Sequence, residues 1–161
     1  MQTVIVETRI AAPPERCFLL SLSIDLHVQS ASQTGERAVE GVTQGLIGLG
    51  ETVTWEGRHF GIKLRHKTLI TKYERPHHFQ DVMVTGAFRR FEHDHYFAPM
   101  QDGGTLMRDV LLFAAPLGPV GWVAEVLLLR SYLKQFLIRR NALICRTAQH
   151  EEAWKRFLPT Q

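Results

Sequence analysis

Alternating apolar and polar residues mark much of the first 115 positions of the chain. TVIVETRI, residues 3–10, alternates and is rich in β-branched residues, which predicts a first strand. Pro13 and Pro14 end this strand and suit a helix start, so ERCFLLSLSIDLHVQSA, residues 15–31, is interpreted as one or two short helices. The glycine-rich segment 36–51 predicts a strand that runs into a wide loop.

From Glu51 to Ala115 the pattern predicts one strand after another. Alternating segments are separated by turn signals at Gly57 or Gly61, at Pro76 and at QDGG, residues 101–104. Consecutive strands joined by such short turns form an antiparallel meander, not βαβ units.

A long C-terminal helix is predicted after the sheet. Pro116, Gly118 and Pro119 break the last strand, and the sequence from about Val120 to Phe157 has a helical period. The apolar positions of this period are Trp122, Val126, Leu129, Leu133, Phe136, Leu137 and Ile144. The sequence therefore predicts one α+β domain over residues 1–161, in which a curved antiparallel sheet of about seven strands surrounds the long helix and two short helices follow strand 1.

Composition excludes several function classes. The chain has 161 residues, 45% of them apolar, and a net charge of only +3, which does not indicate nucleic-acid binding. The most apolar stretch, residues 120–138, carries Glu125, Arg130 and Lys134, too many charges for a membrane span. Cys17 and Cys145 lie too far apart in sequence for a CxxC pair, and the N-terminus does not have the pattern of a signal peptide. We expect a cytoplasmic protein without stable membrane insertion.

The order of these elements and several motifs resemble the START or Bet v 1-like superfamily, also called SRPBCC, whose fold is the helix grip. The motifs are GAFRRFEHDHYF, residues 86–97, and GTLMRD, residues 104–109, which match GxFxxFxHxHxF and GTxMxD of the small bacterial single-domain branch, a branch of unassigned role. The resemblance implies a cavity between sheet and long helix that accepts lipids, polyketides or other apolar molecules. A minority of the superfamily are enzymes such as polyketide cyclases, and no catalytic residue transfers from this branch.

Alternation also predicts which side chains face the cavity. In RRFEHDHYF, residues 89–97, the charges of Arg90, Glu92 and Asp94 share one parity, which leaves Phe91, His93, His95 and Phe97 on the other. The resemblance favours Asp109 facing inward, beside these histidines. The predicted ligand-binding residues are Trp55, Leu64, His66, Ile70, Phe91, His93, His95, Phe97, Met107, Asp109, Leu129, Leu133 and Phe136.

His93, His95 and Asp109 leave three interpretations open. They are a satisfied polar network in the wall, anchors for the polar group of an apolar ligand, or a metal or catalytic site. For a metal, Asp109 or His66 would be the third ligand, but an H-x-H pair is common by chance, so we expect neither metal nor cofactor. His77 and His78 are predicted to be exposed in a turn, and Arg130, Lys134, Arg139 and Arg140 to lie on a solvated helix face or to touch anionic lipid.

The sequence favours binding or transport of a small hydrophobic ligand over catalysis. The alternative is a non-covalent acid/base enzyme of the polyketide cyclase or dehydratase type, with His93, His95 and Asp109 as catalytic residues. A third class, a partner-binding domain, would have a filled barrel and an exposed apolar patch. The identity of the ligand and the oligomeric state stay open.

Overall fold

The computed structural model describes residues 1–115 and 128–158 of the chain. Seven strands form its sheet, β1 (Gln2–Ile10), β2 (Arg37–Gly41), β3 (Thr52–His59), β4 (Ile62–Glu74), β5 (His78–Thr85), β6 (Arg90–Pro99) and β7 (Thr105–Ala114). The helices are α1 (Pro14–Ser21), α2 (Ile24–Ser30) and α3 (Arg130–Gln149), with short 3-10 helices at Ser32–Thr34 and Ala153–Phe157.

The first short helix begins at the two prolines, as the sequence predicts, and a second one follows it. Pro14 occupies the first turn of α1, where its missing N–H breaks no helical hydrogen bond. Ser23 caps α2, because its hydroxyl accepts a hydrogen bond from the backbone N–H of Leu26 at 3.3 Å.

The sheet is antiparallel throughout, with the order β1-β7-β6-β5-β4-β3-β2. Strands β2 to β7 therefore form a meander, and β1 completes the sheet beside β7. The β3–β4 turn is made by Phe60 and Gly61, both with positive φ, as two-residue hairpins with the right twist require. The curved α+β helix-grip architecture predicted from the sequence is confirmed.

Helix α3 packs against β1 and against both short helices. Its buried stripe recurs every three or four positions, at Leu133, Leu137, Arg140, Asn141, Ile144, Thr147 and Ala148. The prediction that this helix extends to Phe157 is wrong, because it ends at Gln149. His150 adopts an extended conformation, and its Nδ1 accepts hydrogen bonds from the backbone N–H groups of Glu152 and Ala153, at 3.3 and 3.2 Å. The predicted positions Trp122 and Val126 lie outside the described residues.

Two groups of buried apolar residues form the core. The larger centres on α1 and α2 and contains Phe18, Phe79, Phe97, Met107 and Ile144. The smaller joins β1 and β7 to α3 through Val4, Val6, Leu111, Phe113, Leu133 and Leu137. Within residues 1–115 and 128–158, no helix has the length and hydrophobicity that crossing a bilayer requires.

Candidate functional site

A cavity of about 270 Å³ lies between the sheet and α3, and both core groups contribute to its wall. Ten of the thirteen predicted ligand-binding residues line it, namely Trp55, Leu64, His66, Ile70, Phe91, His93, His95, Leu129, Leu133 and Phe136. Period-two alternation on β3, β4 and β6 and the helical period of α3 therefore bring these side chains together, as expected.

Phe97, Met107 and Asp109 do not line the cavity, although all three point inward from their strands. Their assignment to the cavity wall is wrong because other elements cover them. Phe18 of α1 packs edge to face on Phe97, with 5.5 Å between ring centroids, and α1 also packs on β7, where Met107 is fully buried. Asp109 is covered by α3.

Neighbouring strands bring together two buried histidines, the buried Asp109 and the half-buried Asp81, which we call the His–Asp cluster (Asp81, His93, His95 and Asp109). The sheet register sets Asp81 of β5 opposite His93 of β6, and His95 of β6 opposite Asp109 of β7. Cross-strand partners on one face lie close enough for their side chains to interact. Asp109 lies close to both histidines, as expected from the sequence. Asp81 is not among the residues predicted from the sequence.

Each imidazole in the His–Asp cluster lies between the two carboxylates. His95 Nε2 donates a hydrogen bond to Asp81 Oδ2 at 3.0 Å, and His95 Nδ1 lies 2.9 Å from Asp109 Oδ1. His93 Nε2 lies 3.0 Å from Asp109 Oδ1, and its Nδ1 lies 3.8 Å from Asp81 Oδ2. The two contacts to Asp109 are short but lie outside the angular range of a hydrogen bond, so a ring rotation is needed to align them.

Two residues of α3 also contact Asp109. Asn141 Nδ2 donates a hydrogen bond to Asp109 Oδ2 at 2.6 Å, and Arg140 Nη1 lies 3.5 Å from Oδ1. Arg140 is only 5% exposed, so the expectation that it lies on a solvated or lipid-facing surface is wrong. It occupies the buried stripe of the helix because Asp109 supplies its counter-charge.

Electrostatics keep the carboxylates charged and one imidazole neutral. Burial alone would raise the pKa of Asp81 and of Asp109, but their contacts with the histidines lower both, that of Asp109 well below its ordinary value. Burial and the neighbouring His95 lower the pKa of His93, against the attraction of Asp109. The guanidinium of Arg140 adds a positive charge beside Asp109.

His66 stands apart from the His–Asp cluster. It lines the cavity with its ring edge to face on Phe91, at a centroid distance of 4.8 Å, and its Nε2 is buried without a hydrogen-bond partner among the described residues. Burial lowers the pKa of His66, which therefore offers a neutral imidazole. The suggestion that His66 would be the third ligand of a metal site does not fit the described geometry, where Asp81 groups with His93 and His95.

A second polar group, the Glu36 network (His27, Glu36, His59 and Tyr132), also borders the cavity. His27 Nε2 donates to Glu36 Oε1 at 2.6 Å, and His59 Nε2 lies 3.4 Å from Glu36 Oε2. Tyr132 and His59 Nδ1 are hydrogen-bonded at 2.6 Å. Burial raises the pKa of Glu36, but the hydrogen bonds from the two histidines outweigh it and hold this pKa at about 2.

His77 is exposed, as predicted, but the matching expectation for His78 is wrong. His78 is 8% exposed, because its ring stacks on Tyr96 and its Nε2 donates to Asp94 Oδ1 at 2.7 Å. His78 and Asp94 have the opposite strand parity to Asp81 and His93, so this pair lies on the other face of the sheet.

Solved structures with similar folds cover almost the whole chain. They include the protein TTHA0849 from Thermus thermophilus, 20% identical with a TM-score of 0.69 over 89% of this chain and 97% of that one. A START superfamily protein from Mycobacterium smegmatis is 12% identical with a TM-score of 0.67, over 91% and 96% of the two chains. Major latex-like protein 151 from Panax ginseng is 15% identical with a TM-score of 0.59, over 98% of both.

No protein-family model matches the chain, and no curated protein matches it. The structural similarities lie at 20% identity or below and bear on the fold alone. Together with the seven-stranded sheet and its C-terminal helix, they show that the chain has the helix-grip fold of the START and Bet v 1 proteins.

Proposed function

We propose that this protein binds a small hydrophobic ligand that carries one polar group. The observation that carries the proposal is the cavity of about 270 Å³, whose described surface is mostly apolar and includes the imidazoles of His93 and His95 among its polar groups. Ligand pockets usually combine such an apolar lining with a small number of polar groups that fix orientation. Hydrophobic ligand binding is also known for the START and Bet v 1 superfamily, whose fold this chain has.

The cavity favours a compact ligand. Its volume lies just below the roughly 300–1,000 Å³ typical of pockets for drug-sized molecules. Trp55 and Phe136 border it together with aliphatic side chains of β4 and α3, so planar or short aliphatic groups have a suitable surface. A partner-binding domain with a filled barrel is disfavoured, since the space between sheet and helix is open.

The His–Asp cluster gives the ligand its orientation in this proposal. His93 and His95 line the cavity and are held from behind by Asp109, which α3 fixes through Asn141. A hydroxyl, carbonyl or carboxylate of the ligand would exchange hydrogen bonds with these imidazoles. The cytoplasmic location and the role of the protein as a carrier stay predictions.

A cavity-filling substitution tests the proposal. Leu133 lines the cavity, whereas Ile138 lies on the exposed side of the same helix, so Leu133→Trp and Ile138→Trp add the same side chain inside and outside. Thermal unfolding is followed with fatty acids, sterols and aromatic polyketides. A ligand at 100 times its Kd stabilises the wild type by about 2.7 kcal/mol.

We expect this stabilisation in the wild type and in Ile138→Trp, and its loss in Leu133→Trp. Ligand-free unfolding of each variant shows whether it folds. Equal stabilisation of both tryptophan variants, or none in the wild type up to the solubility limit of the ligands, would contradict the proposal.

The alternative function is acid/base catalysis of the cyclase or dehydratase type, and one observation favours it. His93 lines the cavity with a lowered pKa and lies 3.0 Å from the buried Asp109, so a neutral imidazole is placed beside an orienting carboxylate. This function predicts that His93→Ala and His95→Ala abolish turnover while ligand affinity changes less than about tenfold, or 1.4 kcal/mol. A loss of affinity in parallel with any activity would favour a binding role alone.

A further inference from the structure

Three side chains of the His–Asp cluster are arranged as a ligand set for a metal ion. One nitrogen or oxygen atom from each of Asp81, His93 and His95 lies within 4.8 Å of the others. Asp81 Oδ2 is 3.0 Å from His95 Nε2 and 3.8 Å from His93 Nδ1. Bonds of about 2.0–2.2 Å to a common ion place such donors roughly 3–4 Å apart, so both distances already suit an ion between them.

The opposite nitrogen of each imidazole faces a second carboxylate. His93 Nε2 and His95 Nδ1 lie 3.0 and 2.9 Å from Asp109 Oδ1. Histidines that bind metals through one nitrogen usually donate the other N–H to a carboxylate, which orients the ring and raises its basicity. Rotation of the two rings toward an ion would also turn the N–H groups of His93 Nε2 and His95 Nδ1 relative to Asp109. Their contacts with Asp109 are short but lie outside the angular range of a hydrogen bond. Asn141 and Arg140 fix Asp109 from the helix side.

We propose that Asp81, His93 and His95 bind one divalent first-row transition metal ion in the cavity wall, with Asp109 as the outer carboxylate. Two imidazoles and one carboxylate are a donor set that suits zinc and iron. This inference differs from the expectation drawn from the sequence, because the third ligand is Asp81, whose position depends on the sheet register.

The metal site deepens the proposed function, and rests on it for the role of the ion. Asp81, His93 and His95 all border the cavity, so an open coordination position would point toward the ligand. An ion with three protein ligands and one open position polarises a bound oxygen. The ligand would then carry a carbonyl, carboxylate or hydroxyl oxygen at this end.

Titration of chelator-treated protein with Zn²⁺ alone tests the site, and Co²⁺ reports its geometry through its visible spectrum. We expect one ion per chain. Asp81→Asn and His93→Gln should each lower the affinity at least about a hundredfold, and Asp109→Asn about 10- to 100-fold, as for outer carboxylates of other metal sites. The matched control is His78→Gln, which removes a buried, carboxylate-bonded histidine on the other face of the sheet and should leave the affinity unchanged.

Nitrogen NMR of the wild type keeps the proposal testable if a variant fails to fold. Of the eight histidines, Zn²⁺ should shift the ring nitrogens of His93 and His95 and leave those of His66 and His78 unmoved. Absence of stoichiometric binding, equal affinities in Asp81→Asn and His78→Gln, or shifts at other histidines would overturn the site. Hydrophobic ligands are titrated separately into the chelator-treated protein. If they bind but no metal site is found, only the metal proposal is overturned. If the metal site is found but no hydrophobic ligand binds, only the proposed function is overturned.

Discussion

At the scale of single residues, buried ionisable groups in this protein are held in place by partners on neighbouring elements. Asp109 is fully buried, yet it stays ionised because imidazoles from β6 and an amide and a guanidinium from α3 surround it. Removing one partner of such a group leaves an uncompensated buried charge, which is far more costly than removing an exposed ion pair. The charge of Asp109 is therefore compensated by neighbouring side chains before any ligand binds.

Glu36 leads to a prediction about pH. Its pKa falls from 4.5 to about 2 on folding, which corresponds to about 3 kcal/mol, since each pKa unit is worth about 1.4 kcal/mol. Because the folded-state pKa is lowered, this stabilisation is fully present above about pH 4.5 and is lost as the pH falls toward 2. The difference in unfolding free energy between the wild type and Glu36→Gln should therefore shrink over this interval.

Urea unfolding of both proteins at a series of pH values measures this difference. Other carboxylates titrate in the same interval in both proteins, so taking the difference isolates Glu36. A difference that stays constant from pH 6 to pH 2.5 would contradict the assigned role of the His27 and His59 hydrogen bonds.

Sequence reasoning predicted ten of the residues that line the cavity and missed charged ones, among them Asp81 and Arg140, for identifiable reasons. Alternation predicts the inward positions of His93 and His95, since Arg90, Glu92 and Asp94 share the opposite parity. Asp81 shares its strand parity with Phe79 and Met83, which predicts an inward-facing side chain. The parity does not predict which side chains on the neighbouring strands Asp81 contacts. Arg140 lies three positions after the buried Leu137, but its charge predicts an exposed position. Only the structure shows that Asp109 lies beside it and supplies the counter-charge.

At the scale of elements, the end of β2 depends on a close backbone approach. Gly41 has φ of +78°, and a Cβ at this position would lie 2.1 Å from the carbonyl oxygen of Thr52. Gly35 has φ of +59°, but a Cβ added there would meet nothing within 4 Å beyond its neighbours in the chain. Alanine in the left-handed region costs roughly 1–2 kcal/mol at either site, and steric overlap adds roughly 1–3 kcal/mol at Gly41 alone.

We therefore predict that Gly41→Ala lowers the free energy of unfolding by more than Gly35→Ala, with at least about 1 kcal/mol between them. Denaturant unfolding of the two variants measures this directly. Equal losses would mean that β2 can move away from β3 without penalty.

The elements themselves were predictable except where a boundary depends on a local hydrogen bond. Strand period and turn residues gave the meander, and the two prolines gave the start of α1. The end of α3 has neither glycine nor proline to mark it, so the helical period predicts a helix that continues to Phe157. The helix ends just before His150, whose side chain accepts hydrogen bonds from the backbone N–H groups of Glu152 and Ala153. The hydrophobic period of the sequence does not predict such hydrogen bonds.

At the scale of the whole molecule, the core is divided between a packed region under α1 and an open region under α3. Phe18 is fully buried and packs edge to face on Tyr73, Phe79 and Phe97, whereas Phe91 borders the cavity and is only partly buried. The amphipathic patterns of sheet and helix specified this fold. The cavity volume was not predictable from them, because it depends on how far each side chain reaches.

This division predicts a contrast between two phenylalanines. Phe18→Ala should lower the free energy of unfolding by about 3–5 kcal/mol, as expected for a large cavity in a packed core. Phe91→Ala enlarges a space that already exists and should cost less than about 2 kcal/mol. Urea unfolding compares them, and a similar loss in both would contradict an open region under α3.

The most direct test of the central claim, that the cavity holds a small hydrophobic ligand, is native mass spectrometry after incubation with the ligand panel. The wild type, Leu133→Trp and Ile138→Trp are compared side by side. The account predicts one bound molecule per chain in the wild type and in Ile138→Trp, and none in Leu133→Trp. The same occupancy in all three proteins, or no bound molecule in the wild type, would contradict it.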